Sequence, residues 1–266
     1  KNALETKVDT LSALVGGGGL NILEDDNLSV STVTFSVNKV GSDSAHAAQD
    51  VGVQSDLVAN NDGSVVLKTI SGTLTLNDGS GDNTNSRAVD IAGSGNILLQ
   101  AQGEESNVII NSRILIDNGI LTILAADSIE QHADIVSTGG TLDLQAQAGA
   151  VSMDDPVQSS SSSGDMRYQA GTSITLSSLD VTGENSGNVA IIAGENILDA
   201  GDTHYEVRAA GLYLEAGASI GLLGDTPDSL EISVDTLAAQ SGSGGVNLLE
   251  ASTVTVQDVS VSVGRV

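Results

Sequence analysis

The phrase GNILLQA at residues 95–101 returns as GILTILA at 119–125, GTLDLQA at 140–146, GDMRYQA at 164–170 and GNVAIIA at 187–193. The intervals between the first residues of successive phrases are nearly equal. Within each phrase apolar residues alternate with others, which is the period of a β-strand, and a fixed spacing of about 23 residues is the length of one solenoid coil. The chain is therefore predicted to wind in stacked coils that each include one such strand.

A coil of this length has room for two further strands. Each phrase is followed by a second apolar segment, as in AADSIEQ around Ile129, and by a third, as in ADIVSTGG at 133–140. Three short strands and three bends per coil predict an all-β fold, a parallel β-helix with about 21–24 residues per coil and a roughly triangular cross-section. The general rule for parallel crossovers predicts a right-handed winding. Glycine is expected at the bends because it accepts a positive φ.

Two related phrases, GTLTLND at 72–78 and AGLYLEA at 210–216, extend the series in both directions. The third residue of every phrase is expected to point inward and to form one aliphatic ladder along the axis. This structural ladder comprises Leu74, Ile97, Leu121, Leu142, Met166, Val189 and Leu212. Polar ladders that hydrogen-bond between coils are expected at the bends, at Asn96, Asn188, Asn196 and Ser219.

The two ends of the chain are copies of one segment. Residues 1–40 and 227–266 align without a gap, and 18 of the 40 positions are identical. We predict that residues 1–40 are the final coils of a preceding copy and that residues 41–266 are one complete repeat module. The first fifteen residues have the apolar spacing of a helix, but their copy is richer in β-branched residues, so coil strands are predicted in both.

Two regions break the coil period. Residues 41–62 are polar and irregular, and residues 155–163 read DPVQSSSSS, so both are predicted to be loop excursions at the surface. At about 23 residues per coil and about 4.8 Å between coils, one module should contain roughly 10 coils and advance about 47 Å. Val261, Val263 and Val266 predict that the sequence stops within a strand.

Composition limits the classes of function. Hydrophobic residues make up 39% of the 266 residues, which is enough for a folded core, whereas aromatic residues are 2%, so aliphatic side chains must fill it. The absence of cysteine excludes disulfides and thiolate metal sites. A net charge of −26 argues against nucleic acid as a partner, and no apolar run has the roughly 20 residues of a membrane span.

Adjacent acidic residues are the candidate catalytic groups, because paired carboxylates can act as acid and base on polysaccharides. The second copy replaces the first of these pairs by Ala and Ser, so the repeat does not require it. Solvated surface charge is the preferred interpretation, and no enzyme is predicted. The pairs are Asp25/Asp26, Glu104/Glu105 and Asp154/Asp155.

One loop has the composition of a calcium site. NDGSGDNTN at 77–85 offers oxygen ligands from Asp78, Asp82 and Asn83. It lacks the closing acidic residue of an EF-hand loop, and an ordinary polar turn is favoured, so surface-bound Ca²⁺ is the one cofactor considered. The three histidines are scattered, which gives no support to a zinc site.

The phrases GNILLQA, GTLDLQA and AGENILDA resemble the coils of filamentous-haemagglutinin-like adhesins, and QSDLVANNDGSVVLKTISGTLTLNDG at 54–79 resembles modules of giant repetitive bacterial surface proteins. The resemblance covers most of residues 50–260. It implies a right-handed parallel β-helix that is exported to the cell surface for adhesion or fibre formation. It carries over no catalytic residue.

Taken together, these observations predict a structural module of an extracellular fibre or giant cell-surface adhesin. Uncapped coils at both ends should stack on further copies and build a long acidic rod, because an open coil leaves backbone groups and aliphatic side chains uncovered. Cell-surface glycans or proteins are further candidate partners. The alternatives are a polysaccharide-binding or polysaccharide-cleaving β-helix protein, and a module that coheres through calcium.

Overall fold

The computed structural model describes residues 2–80, 86–183, 185–201, 204–224 and 228–266. In these ranges the chain contains no helix and forms 31 strands. In chain order the strands are β1 (Leu4–Thr6), β2 (Thr10–Leu11), β3 (Ala13–Val15), β4 (Leu20–Glu24), β5 (Leu28–Val30), β6 (Val33–Val40), β7 (His46–Gln54), β8 (Leu57–Ala59), β9 (Val65–Thr69), β10 (Leu74–Leu76), β11 (Arg87–Ile91), β12 (Ile97–Ala101), β13 (Val108–Ile110), β14 (Arg113–Ile116), β15 (Leu121–Ala125), β16 (Ile129–Gln131), β17 (Ile135–Ser137), β18 (Leu142–Ala146), β19 (Val151–Met153), β20 (Gln158–Ser161), β21 (Met166–Ala170), β22 (Ile174–Leu176), β23 (Ser178–Asp180), β24 (Asn188–Ala193), β25 (Asn196–Asp199), β26 (Val207–Ala216), β27 (Ser219–Ile220), β28 (Leu230–Ser241), β29 (Gly245–Val246), β30 (Leu248–Glu250) and β31 (Thr255–Val256).

The strands form three columns of parallel pairs, which confirms the parallel β-helix. Face 1 contains β1, β4, β9, β12, β15, β18, β21, β24, the second halves of β26 and β28, and β31. Face 2 contains β2, β5, β10, β13, β16, β19, β22, β25, β27 and β29. Face 3 contains β3, β8, β11, β14, β17, β20, β23, the first halves of β26 and β28, and β30. The chain passes from face 1 to face 2 to face 3 and then enters the next coil.

Face 1 holds an aliphatic ladder whose members pair directly between neighbouring coils and are fully buried. It includes Ile97, Leu121, Leu142, Met166, Val189 and Leu212. Leu74 does not belong to it, because Leu74 lies on face 2 between Leu28 and Val108. Val65 takes that place on face 1, opposite Ile97. The assignment of Leu74 was wrong because strands of faces 1 and 2 share the same alternating pattern.

Coil length is regular only in the middle of the molecule. From Ile97 to Leu212 successive partners on face 1 follow at the nearly equal intervals expected of one solenoid coil. The coil from Leu20 to its partner Val65 is about twice as long, and the next, from Val65 to Ile97, is also longer than the regular coils. Strand β1 therefore lies eight coils and two faces before its copy in β28, fewer than the roughly 10 coils expected from a uniform period.

The core is a continuous aliphatic column inside the three faces, with inward residues alternating along each strand. Bends between the faces are closed by polar ladders. Ser219 Oγ donates to Asn196 Oδ1 at 2.8 Å, and Asn196 Nδ2 donates to Ser173 Oγ at 3.3 Å, which links three coils. Asn96 Oδ1 likewise accepts the Ile120 amide of the next coil at 2.9 Å. Asn188 differs, since its side chain donates to the Ser260 carbonyl at 2.9 Å.

The first irregular region contains an antiparallel hairpin formed by β6 and β7. This hairpin leaves the coil after β5 and returns before β8, and its side chains are largely exposed, including Phe35 at 57%. The predicted excursion over 41–62 therefore began too late and ended too late. Leu57 and Ala59, placed in the loop by the sequence, are fully buried in the coil strand β8.

The second predicted loop, 155–163, is wrong in its main part. Residues 158–161 form β20 on face 3, and Ser159 and Ser161 point into the core. The hydroxyl of Tyr168 donates to Ser159 Oγ at 2.6 Å, and Gln131 Nε2 donates to the same atom at 2.9 Å. Ser161 Oγ accepts the Gly164 amide at 2.9 Å. Because these partners satisfy the hydroxyls, serine can occupy inward positions at a modest cost in free energy.

The last residues do not form a strand. We call residues 257–266 the C-terminal strap, because they run across face 1 towards earlier coils. The amides of Ser262, Gly264 and Val266 donate to Asp165 Oδ2, Thr141 Oγ1 and Thr122 Oγ1 at 2.7, 3.0 and 3.1 Å. The expectation that the sequence stops within a strand is thus corrected.

Candidate functional site: the joint between the two copies

The first candidate site is the contact of residues 1–40 with the coils that follow them. Strands β3, β4 and β5 pair with β8, β9 and β10. Since residues 1–40 are the sequence copy of residues 227–266, this contact shows how one copy of the terminal segment packs on residues 41 onward. We call it the joint.

The two copies have the same local register. Leu4 pairs with Ile22 in the first copy, and Leu230 pairs with Leu248 in the second. The pair Leu11 with Val30 is matched by Leu237 with Val256. The two copies start on different faces of the β-helix, because β1 lies on face 1 whereas its copy in β28 lies on face 3. Up to Val30 and its copy Val256, the terminal segment thus pairs in the same register wherever it enters the triangular cross-section.

A buried glutamate recurs in both copies. Glu24 is fully buried and accepts hydrogen bonds from Thr6 Oγ1 at 2.5 Å and from the Val8 amide at 3.0 Å. In the second copy Glu250 accepts the Val234 amide at 3.2 Å. This repeated contact fixes the bend after β1 and after the first half of β28.

The copies differ in burial at the coil edge. Ile22 and Leu28 are 3% and 2% exposed at the joint, and Val30 is fully buried. In the second copy the residue equivalent to Val30 is Val256, which is 77% exposed. The last coil therefore exposes an apolar edge. In the first copy the equivalent edge is covered by β8, β9 and β10.

Backbone hydrogen bonds cross the joint on all three faces. The amides of Ala13, Leu20 and Leu28 donate to the carbonyls of Asp56, Ser64 and Thr73 at 2.9, 2.8 and 3.0 Å. The sequence copies of these three donors are Ala239, Val246 and Val254, all in the last coils. An open β-edge with such donors is a template for a further strand.

The candidate calcium loop is only partly described. Asp78 Oδ1 is buried and has no hydrogen-bond partner among the described residues. Asp82 and Asn83, its predicted co-ligands, lie outside the described residues. The Asp78 backbone amide donates a hydrogen bond to Ser112 Oγ at 2.9 Å.

The acidic pairs and histidines are dispersed over the described surface. Lys7 Nζ lies 2.7 Å from Asp25 and 3.1 Å from Asp26, and both carboxylates raise the pKa of Lys7. His132 lies 2.7 Å from Asp154 and 3.5 Å from Glu130. The hydrogen bond with Asp154 is the main cause of the raised pKa of His132. These contacts are ordinary surface ion pairs.

One acidic cluster was missed in the sequence. The carboxylates of Asp199, Glu206 and Glu231 have oxygen atoms within 4.8 Å of one another. Burial raises the pKa of Glu206 to about 9, and the charges of Asp199 and Glu231 add to the increase while the Glu231 amide opposes it. Glu231 lies one coil beyond Asp199 and Glu206, so only the coil register, which sets Val207 opposite Ile232, could have indicated the cluster.

No protein-family model, curated protein or solved structure matches the chain. In the described ranges no helix has the length and apolar character needed to cross a membrane.

Proposed function

We propose that this chain is a non-enzymatic structural module of an extracellular fibre or giant cell-surface adhesin, whose copies stack coil on coil into a long acidic rod. The observation that carries the proposal is the joint. One copy of the terminal segment is buried against the coils after residue 41, and the other copy exposes the equivalent edge. Location at the cell surface is inferred from the resemblance of the coil phrases to filamentous-haemagglutinin-like adhesins.

Burial at the joint supplies a driving force for stacking. Moving a valine such as Val256 from 77% exposure to the full burial of Val30 stabilises by roughly 1.5 kcal/mol, and the backbone bonds of the next coil would add to this. The formal net charge of −26 opposes lateral association of such rods, because like charges repel. Growth along the axis is therefore favoured over sideways aggregation.

The rival polysaccharide enzyme has less support. A glycoside hydrolase needs two carboxylates that reach its substrate. Among the described residues, Glu206 combines a neighbouring carboxylate with a raised pKa, but its side chain is fully buried and cannot contact a polymer. Tyr168 is also fully buried, so its ring offers no stacking surface for a sugar.

Small-angle X-ray scattering on chains of increasing length tests the proposal. Residues 41–266 are added once and twice after Val266, which keeps the offset of 226 residues between successive copies of the terminal segment. The maximum dimension should grow linearly by about 42 Å per copy, the rise of eight coils and two faces at about 4.8 Å per coil. A maximum dimension that grows less than linearly with the number of copies, as for beads on a flexible chain, would contradict a continuous rod.

A further inference from the structure

The cluster of Asp199, Glu206 and Glu231 lies at the corner between faces 2 and 3. Asp199 ends β25, Glu206 immediately precedes β26, and Glu231 is the second residue of β28 in the next coil. The Glu206 amide donates to the Glu231 carbonyl at 2.9 Å, and the Glu231 amide donates to Glu206 Oε2. The coil register thus holds three carboxylates from two neighbouring coils together.

Glu206 has an oxygen atom without a partner. Its side chain is 0% exposed, and its Oε1 makes no hydrogen bond among the described residues. Glu206 and Glu231 also form no ion pair within the described ranges. Burying a carboxylate oxygen without a partner is costly, so a ligand that contacts Oε1 would bind with a clear advantage.

We propose that Asp199, Glu206 and Glu231 bind one divalent cation, and that Ca²⁺ is the cation that fits the site. All three ligands supply hard oxygen donors, which calcium prefers over the softer donors of transition-metal sites. Calcium also accepts irregular geometry and completes its six to eight ligands with water, as a corner at the protein surface allows. The ion would offset the negative charge of the carboxylates that bind it and contact the unpaired Oε1 of Glu206. It would join two neighbouring coils, because Asp199 and Glu206 belong to one coil and Glu231 belongs to the next.

Calorimetric titration of the metal-free chain with calcium chloride tests the site. The wild type is compared with Glu206→Gln and with Glu104→Gln, a matched control that removes one exposed carboxylate elsewhere. The wild type and the control should each bind one Ca²⁺ with the same affinity. Glu206→Gln should weaken that binding at least tenfold. Asp199→Asn, as a second variant, should weaken it as well.

Thermal unfolding separates a lost ligand from a lost fold. In chelator, Glu206→Gln should unfold at the same temperature as the wild type or higher, since a neutral amide of the same shape replaces the buried carboxyl group. Added calcium should raise the unfolding temperature of the wild type and of Glu104→Gln and leave Glu206→Gln unchanged. A wild type without a saturable calcium site, or a Glu206→Gln variant that binds calcium as the wild type does, would overturn the proposal.

Discussion

The leading glycine of each coil phrase has a steric role. Gly95, Gly119, Gly140 and Gly164 stack at the start of face 1, and a Cβ on any of the last three would collide with the carbonyl oxygen of the preceding glycine in the stack. None of the four has a positive φ, so the expected reason for glycine at these bends is wrong for this stack. The coils approach too closely there for a side chain.

A substitution within the stack should therefore be costly. We expect Gly140→Ala to lower the free energy of unfolding by about 2 kcal/mol, because the added Cβ meets the backbone of Gly119 and a packed core yields little. Gly18→Ala is the control, since no atom lies within 4 Å of the position that its Cβ would take and its φ is not positive. Urea unfolding of both variants measures the difference, and equal stability would refute the steric role.

His132 gives the molecule a local pH dependence. Its pKa is raised, chiefly by the hydrogen bond with Asp154, so the contact stabilises the fold fully below the ordinary histidine pKa of 6.5. That stabilisation is lost as pH rises through the higher pKa of the folded state. Asp154→Asn should lower the pKa of His132 and flatten the change in stability over this interval. NMR titration of the His132 ring checks the shift, and an unchanged pKa would show that Asp154 is not its cause.

At the scale of strands, the sequence predicted the regular coils and missed the exceptions. Aliphatic residues alternate along each strand, and the same pattern returns after every coil of similar length. The inward positions of the regular coils can therefore be found in the sequence. The run from Ser159 to Ser163 was taken for a loop because polarity usually marks the surface. The inward Ser159 depends on Tyr168 and Gln131, partners whose proximity only the coil register reveals.

The candidate site, like the fold, could be predicted from the sequence only in part. The two terminal copies revealed that a joint exists, since identical residues recur at a fixed offset. They did not reveal the acidic cluster, because only Glu231 lies within a terminal copy, whereas Asp199 and Glu206 lie outside both copies. Nor did they reveal that one segment has two structures: Val33–Val40 forms β6, whereas its copy forms part of the C-terminal strap.

The hairpin should be dispensable for folding. Val33 pairs with Gln54, so removal of residues 33–54 leaves two neighbouring ends, and the coil pairs of β5 with β10 and of β8 with β11 remain. We expect this deletion to leave the unfolding temperature within a few degrees of the wild type. Leu57→Ala, which empties a fully buried position in β8, should instead cost about 3 kcal/mol. A deletion as damaging as Leu57→Ala would mean that the hairpin is part of the core.

For the whole molecule, a matched pair of substitutions in the chain extended by one further copy of residues 41–266 tests the stacking of copies. Val256→Asp places a charge where Val30 is buried at the joint, so the two modules should separate and scatter as independent bodies. Ser252→Asp is the control, because the first copy carries Asp26 at the equivalent position. If both variants scatter as the parent rod does, the joint does not hold the copies together.

Amide hydrogen exchange at the end of the first module is the most direct test of continuous stacking. In the single chain, the amides of Ala239, Val246 and Val254 should exchange rapidly, because they lie in the last coils. In the two-copy chain they should become protected, as donors to the carbonyls of Asp56, Ser64 and Thr73 in the added copy, which is the pattern of the existing joint. Equal exchange at these three amides in both chains would contradict the rod.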